Sequence, residues 1–239
     1  MNFKKYNNLI DLFFEQCEKQ PKEKVFLSSL KDPKKNFSWH EVKSIVLQLS
    51  NEISKIIQKG DRCLLISENR PEWMISDLSI MLAGGITVPA YTTYVSRDYE
   101  YIIDDCTPSI ILVSNDEQFR KINSICQRKG FIKKIFSFEK LNEIDGDTYF
   151  NVENLIEKKT KNEEINLEIR AERSDPACII YTSGTQGNPK GVILSHGGIL
   201  SNCEGGYELI KPILEKETRF LTWLPLSHSY EHAVQFIQI

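Results

Sequence analysis

The sequence predicts an α/β fold in which layered, mainly parallel sheets are flanked by helices. Short apolar runs that resemble buried strands, such as residues 63–66 and 110–113, alternate with amphipathic stretches. Strands joined by helices of about 10–15 residues are typical of parallel sheets. The chain has 239 residues, of which 41% are hydrophobic. This length suffices for one large domain or two small ones with a sizeable core.

The first elements follow from local helix and turn signals. Residues 6–20 carry apolar side chains at helical spacing and stop at a proline, which predicts a helix. Residues 25–30 resemble a strand. Ser38 and Glu41 have the spacing of a capping box, in which two side chains bind the free amides at the start of a helix. The helical apolar pattern continues from there to Ile56.

The middle of the chain repeats the alternation of strands and helices. We predict, in order, a strand at 63–66, a helix from Asn69–Pro71 to Gly84, a strand at 86–91, a helix from Ser96, a strand at 110–113, a helix at 115–129 and a strand at 132–138. Residues 139–175 are rich in Glu, Lys and Asn, and predict a solvated, partly helical connection between two halves. The apolar ending FIQI has no cap or polar tail, so we expect the front part of a longer protein.

Composition excludes several functional classes. The net charge is −3 with acids and bases interspersed, which argues against a nucleic-acid partner. No apolar run approaches the roughly 18 residues that a membrane span needs, and the start of the chain does not resemble a signal peptide. Six scattered cysteines without a CxxC pair predict structural thiols and a cytoplasmic location.

The most informative segment is YTSGTQGNPKG, residues 181–191, which lies between two apolar runs. A loop that binds phosphate needs hydroxyl donors, a cation and glycines that let the backbone approach. The segment supplies all three kinds of group: hydroxyls at Thr182, Ser183 and Thr185, glycines at Gly184, Gly187 and Gly191, and the cation at Lys190. A plain hairpin turn remains open on composition alone. The spacing does not fit a Walker P-loop, which needs GxxxxGK and then Ser or Thr.

This segment closely resembles the signature loop of the adenylate-forming (ANL) superfamily, which includes the acyl-CoA synthetases. Gln186 departs from the pattern, since the family usually has a second threonine there. Residues 37–42 and 81–89 resemble two earlier family segments, and residues 223–232, WLPLSHSYEH, are similar to a stretch of the long-chain fatty acyl-CoA synthetases. The resemblance runs from about residue 10 to the end of the chain.

The resemblance implies a two-step ligation of a long-chain fatty acid. The acid attacks ATP·Mg²⁺ to form an acyl-adenylate, and the thiol of CoA then displaces AMP. The implied ligands of the ATP phosphates are Thr182, Ser183, Gly184, Thr185, Gln186, Gly187 and Lys190. Lys190 and His228 are the implied catalytic residues, with His228 at the edge of the acyl pocket. On this basis residues 1–239 form part of an AMP-binding domain. Its C-terminal part, the Mg²⁺ ligand and a small mobile domain are expected outside the chain, so we expect no full activity from this chain alone.

Two alternatives from other functional classes remain. The first is a truncated homologue without catalysis that binds only nucleotide or a partner. The second is a zinc peptidase, because His228, Glu231 and His232 spell the inverted motif H-x-x-E-H. A separate, structural expectation is that His196 caps the helix that follows the second apolar run. Peripheral membrane contact and the oligomeric state are left open.

Overall fold

The computed structural model describes residues 2–32, 35–142, 148–157, 165, 167–168, 171–182, 188–215 and 218–239. Within these residues, a two-stranded antiparallel sheet precedes a seven-stranded sheet. The small sheet consists of β1 (Val25–Ser28) and β2 (Asn36–Ser38). The large sheet consists of β3 (Arg62–Ile66), β4 (Ile86–Ala90), β5 (Ile110–Val113), β6 (Lys134–Ser137), β7 (Tyr149–Asn151), β8 (Pro176–Thr182) and β9 (Lys190–Ser195).

The large sheet is parallel except at one edge. Its strand order is β7-β6-β5-β3-β4-β8-β9, and only the β8–β9 pair is antiparallel. The parallel strands β3, β4 and β8 therefore end at the same edge of the sheet. In open α/β sheets, ligands bind in the crevice outside these carboxyl ends.

Helices cover both faces of the large sheet. They are α1 (Leu9–Lys19), α2 (Trp39–Ser54), α3 (Pro71–Leu82), α4 (Ser96–Cys106), α5 (Asp116–Arg128), α6 (Glu153–Glu157), α7 (His196–Ile210) and α8 (Ser229–Ile237). Successive residues of β3 point to opposite faces, and they join separate cores. Cys63 and Leu65 pack with α1, α2, α3, α7 and α8, whereas Leu64 and Ile66 pack with α4 and α5. The architecture is three layers, which confirms the predicted α/β class.

The predicted strands and helices between residues 6 and 138 are all present, with ends shifted by a few residues. The capping box forms as the sequence predicts. The hydroxyl of Ser38 accepts the Glu41 amide at 3.2 Å, and the Glu41 carboxylate accepts the Ser38 amide at 2.8 Å. Such a cap stabilises its helix by about 1 kcal/mol.

The polar connection at 139–175 contains more structure than its composition indicates. The partial helix is present as α6, but Tyr149–Asn151 also pairs in parallel with β6 as an edge strand, which the sequence did not predict. An edge strand of three residues that is half-buried carries almost no periodic signal.

All six cysteines are free thiols, as the sequence predicts, and five of them are buried. Burial raises the pKa of the Cys17, Cys106 and Cys203 thiols to about 12, which keeps them protonated. In the part of the chain that the structure describes, no helix has both the length and the apolar character to cross a bilayer.

Candidate functional site

The strands β8 and β9 hold the two described ends of the proposed phosphate loop. Thr182, the last residue of β8, lies directly opposite Lys190, the first residue of β9, and both side chains are exposed. The hydroxyl and the ammonium group therefore flank the residues that connect the strands. The other predicted ligands, Ser183, Gly184, Thr185, Gln186 and Gly187, lie outside the described residues.

The end of the loop is tied to helix α4. The hydroxyl of Tyr101 donates a hydrogen bond to the carbonyl oxygen of Pro189 at 2.9 Å, directly before Lys190. This contact restrains the backbone that carries the cation. It adds to the restriction that the proline ring places on its own backbone.

Gly191 packs closely against β8. A Cβ at this position would lie 2.8 Å from Cγ2 of Ile179 and 3.3 Å from the ring of Tyr181. Real Cβ atoms do not approach side chains this closely, so β9 can lie against β8 here only because residue 191 is glycine. Tyr181 in turn donates to the carboxylate of Asp105 at 2.5 Å.

A second candidate segment, residues 224–228, reaches the same edge of the sheet. Asn69 follows the end of β3 by three residues, and its side chain binds the backbone of this segment twice. Its Nδ2 donates to the carbonyl of Leu224 at 2.7 Å, and its Oδ1 accepts the amide of Leu226 at 3.0 Å. The Asn69 side chain thus holds the backbone that precedes His228.

His228 is exposed and caps helix α8. Its Nδ1 accepts the backbone amide of Tyr230 at 3.2 Å. Only an unprotonated nitrogen can accept, so in this arrangement the ring carries its proton on Nε2. Among the described residues, Nε2 has no hydrogen-bond partner. At a helix N-terminus, an N–H donor of this kind suits an anionic oxygen such as a carboxylate or phosphate.

His232, the second histidine of the motif, is buried and fully engaged. Its Nε2 lies 2.7 Å from Oδ2 of Asp77 on α3, and its Nδ1 lies 3.5 Å from Sγ of Cys178 on β8. Burial disfavours the imidazolium, but the Asp77 carboxylate and the Cys178 side chain outweigh this effect. They hold the pKa of His232 well above its ordinary value, so the ring is charged at neutral pH.

The zinc alternative gains no support from this geometry. His228 is exposed, whereas Glu231 and His232 are buried, and both nitrogens of His232 already contact other side chains. Among the residues that the structure describes, no group of three or more His, Cys, Asp or Glu side chains is arranged to hold a metal ion.

Comparison of the sequence with protein-family models identifies the family of this chain. The model of the AMP-binding enzymes matches residues 13–238, nearly the whole chain. The chain belongs to the AMP-binding enzyme family. This confirms the superfamily that the loop at 181–191 indicates.

Curated relatives within this family are fatty acyl-CoA ligases. A long-chain-fatty-acid–CoA ligase of Rattus norvegicus is 27% identical over 223 residues, which is 91% of this chain and 31% of the relative. Fatty acyl-CoA synthetase A of Dictyostelium discoideum is 29% identical over 211 residues, 83% of this chain and 31% of the relative. The chain thus spans about a third of the length of the curated relatives that it matches.

Solved structures show the same fold. A long-chain-fatty-acid–CoA ligase from Archaeoglobus fulgidus superposes with a TM-score of 0.79 at 19% identity, covering 97% of this chain and 45% of that one. At this identity the likeness establishes the fold alone.

The predicted site residues Thr182, Lys190 and His228 stay predictions, and the sequence did not indicate the residues that contact their segments. Asn69 and Tyr101 act through backbone groups of Leu224, Leu226 and Pro189, which no sequence pattern reveals. His196 was predicted to cap α7. That prediction is wrong, because Ser195 is the cap and accepts the Gly198 amide at 3.1 Å.

Proposed function

We propose that this chain serves the ATP-dependent activation of a long-chain fatty acid. The fatty carboxylate attacks the α-phosphorus of ATP and displaces pyrophosphate, which gives an acyl-adenylate. The thiol of CoA then attacks the acyl carbon, AMP leaves, and an acyl-CoA thioester forms. The curated relatives are fatty acyl-CoA ligases, which supports this chemistry. The Mg²⁺ ligand and the small mobile domain that the reaction needs would come from outside this chain.

The observation that carries the proposal is the placement of Thr182 opposite Lys190 at the carboxyl edge of the parallel sheet. A hydroxyl donor and an exposed ammonium group flank a segment of glycine, hydroxyl and amide residues there. We propose that Ser183, Gly184, Thr185, Gln186 and Gly187 complete a cradle for the β- and γ-phosphates of ATP. Mg²⁺ would accompany ATP and neutralise phosphate charge. The protein would act through positioning and charge stabilisation.

In this proposal His228 serves the acyl end of the reaction. Its Nε2–H is a donor at the positive end of α8, and the segment before it is fixed to the end of β3 by Asn69. The donor would hold the fatty carboxylate for attack and later stabilise charge on the acyl carbonyl oxygen. Six free thiols fit a cytoplasmic location. Peripheral contact with a lipid surface would supply the fatty acid.

The first test is calorimetric titration of this chain with ATP. We expect Lys190→Ala to weaken ATP binding about tenfold, because a charge-assisted contact to phosphate contributes roughly 1.5 kcal/mol or more. Lys22→Ala, which removes an exposed lysine from the turn after α1, is the matched control and should bind as the wild type does. Equal affinity of both variants would remove Lys190 from the phosphate site.

A second measurement separates catalysis from binding. Exchange of labelled pyrophosphate into ATP is followed in the intact protein, with palmitate and acetate as the probe acids. Exchange that depends on palmitate supports fatty acid activation, and exchange with acetate alone contradicts the substrate class. ATP binding without exchange for any acid would favour the alternative of a homologue that binds nucleotide without catalysis.

A further inference from the structure

Three elements that are distant in sequence meet at the side chain of His232. Asp77 on α3 lies 155 residues away along the chain, and Cys178 on β8 lies 54 residues away. Asp77 and Cys178 are fully buried, and His232 is 1% exposed. Solvent therefore does not reach this network, and its contacts compete with no water.

Each end of the network leads to one part of the candidate site. The amide of His232 donates to the carbonyl of His228 at 2.9 Å, one helical turn away in α8. On the strand side, Cys178 and Thr182 lie on the same β8, four residues apart, and thus project from the same face. The network therefore connects the helix that carries His228 with the strand that begins the phosphate loop.

We infer that His232 is a positioning residue, which holds the N-terminus of α8 and its His228 in register with the phosphate-loop strand by bridging Asp77 and Cys178. The inference rests on the proposed function for the roles of His228 and the loop. The network itself is independent of that function. His232 would touch neither ATP nor the fatty acid, and would act through the helix that it anchors.

The surroundings of the ring leave it a single orientation. Trp73 of α3 packs edge-on against it at 5.4 Å between ring centroids, and Phe236 of α8 lies at 5.6 Å. The Asp77 carboxylate is the charged group that contacts the ring, and the Cys178 side chain lies at its other nitrogen. Because each ring nitrogen also has a partner, the ring cannot flip without losing both contacts. Loss of the ring would release α8 from α3 and β8 together.

Nuclear magnetic resonance of this chain tests the inference, because the sequence has only four histidines and their ring signals are few. The probes are the His228 ring resonance and hydrogen exchange of the α8 amides. We expect His232→Gln to shift the His228 resonance and to speed exchange across residues 229–237 at least tenfold. Exchange in β3 and β5 should change much less.

Two further variants make the result specific. His196→Asn removes a second buried histidine, which lies at the start of α7, and should leave the α8 amides and His228 unchanged. The double variant Asp77→Asn with His232→Gln replaces the ion pair by two amides that can bind each other. It should recover part of the α8 protection, and it serves as the second variant if His232→Gln alone fails to fold.

The outcomes separate the inference from the proposed function. Unchanged α8 exchange in His232→Gln, or an equal loss of protection throughout the chain, overturns the positioning role. ATP is then added to the same samples. If the resonances of Lys190 in the wild-type protein do not shift when ATP is added, the proposed function fails. The exchange rates of the α8 amides still decide whether His232 holds the helix. If α8 opens but the response of His228 to ATP is unchanged, the network does not position the site.

Discussion

Two buried histidines, His196 and His232, show how differently one side chain behaves in two regions of the same core. They are 2% and 1% exposed, respectively. His196 accepts the amide of Leu9 on its Nδ1 at 3.4 Å, which requires an unprotonated nitrogen. His232 lies 2.7 Å from a carboxylate. The first is neutral at pH 7 and the second is charged.

The nearest partner decides the charge of a buried histidine, since burial lowers the pKa of both rings. Burial lowers the pKa of His196 to about 4, and Asp77 and Asp175 only partly oppose it. At His232 the same penalty is overcome by Asp77 in direct contact. One carboxylate thus influences both histidines, but it reverses the pKa shift only where it forms a hydrogen bond.

The two histidines contribute to stability on opposite sides of neutrality. The raised pKa of His232 gives stability that is fully present below about pH 6.5 and is lost as pH rises through the raised value. The lowered pKa of His196 gives stability that is present above about pH 6.5 and is lost as pH falls toward 4. Together they favour a stability maximum near neutral pH.

The largest effect should follow from Asp77→Asn, which removes the carboxylate that distinguishes the two sites. We expect a loss of about 3 kcal/mol in the free energy of unfolding at pH 7, because a buried ion pair loses one partner. Urea denaturation followed by circular dichroism measures the loss. The pKa of His232 should then fall below its ordinary value, as that of His196 does.

Ser76→Ala in the same helix is the control, since its buried hydroxyl has no hydrogen-bond partner among the described residues. Its loss of stability should stay below about 1 kcal/mol, in the range of a substitution that breaks no contact. If Asp77→Asn costs no more than this control, the pair with His232 is not an ion pair and the comparison breaks down.

A smaller loss of stability should appear when the wild-type protein is acidified, because of His196. Between pH 6.5 and its lowered pKa of about 4, the unfolded chain binds a proton at His196 that the folded chain does not. At pH 5 this should cost about 2 kcal/mol relative to pH 7, at roughly 1.4 kcal/mol per pH unit. His196→Asn keeps an acceptor for the Leu9 amide but cannot titrate. Unfolding free energies of both proteins at several pH values measure the difference.

Carboxylates also protonate in this range, so the comparison uses the difference between wild type and variant, in which their contributions cancel. The wild type should lose more stability than His196→Asn on acidification. Parallel curves for the two proteins would mean that the pKa of His196 does not change on folding, and the contrast with His232 would disappear.

Much of the fold could be predicted because its signals are local. The helical apolar spacing of α2, its capping box at Ser38 and the short apolar run of β3 each lie within one segment. Their alternation then indicates a parallel sheet with helices on both faces. The edge strand at Tyr149–Asn151 could not be predicted, since its pairing with β6 depends on a neighbour distant in sequence.

The candidate site divides in the same way. Thr182, Lys190 and His228 belong to continuous motifs, and a motif can be read from sequence. The groups that contact His232 could not be predicted, because Asp77 and Cys178 look like an ordinary helix aspartate and an apolar-strand cysteine. Only the packing of α3, β8 and α8 brings them to the ring of His232. Contact with a distant element likewise makes His196 a core residue rather than a cap, since its ring accepts the amide of Leu9 on α1.

The second ring nitrogen of His232 faces Cys178, and the loss of this thiol should have a smaller effect than the changes above. Cys178→Ala leaves the Nδ1 proton of a charged, buried ring without an acceptor, and such a group costs about 1 kcal/mol or more. Cys203→Ala is the matched control, because it removes a buried thiol that contacts a backbone carbonyl at 3.6 Å and no histidine. We expect Cys178→Ala to lose about 1 kcal/mol more unfolding free energy than the control.

Cys178→Ser should recover most of this difference, since a hydroxyl accepts the proton. If both alanine variants lose the same amount and serine restores nothing, Cys178 only fills space, and Asp77 alone keeps His232 charged.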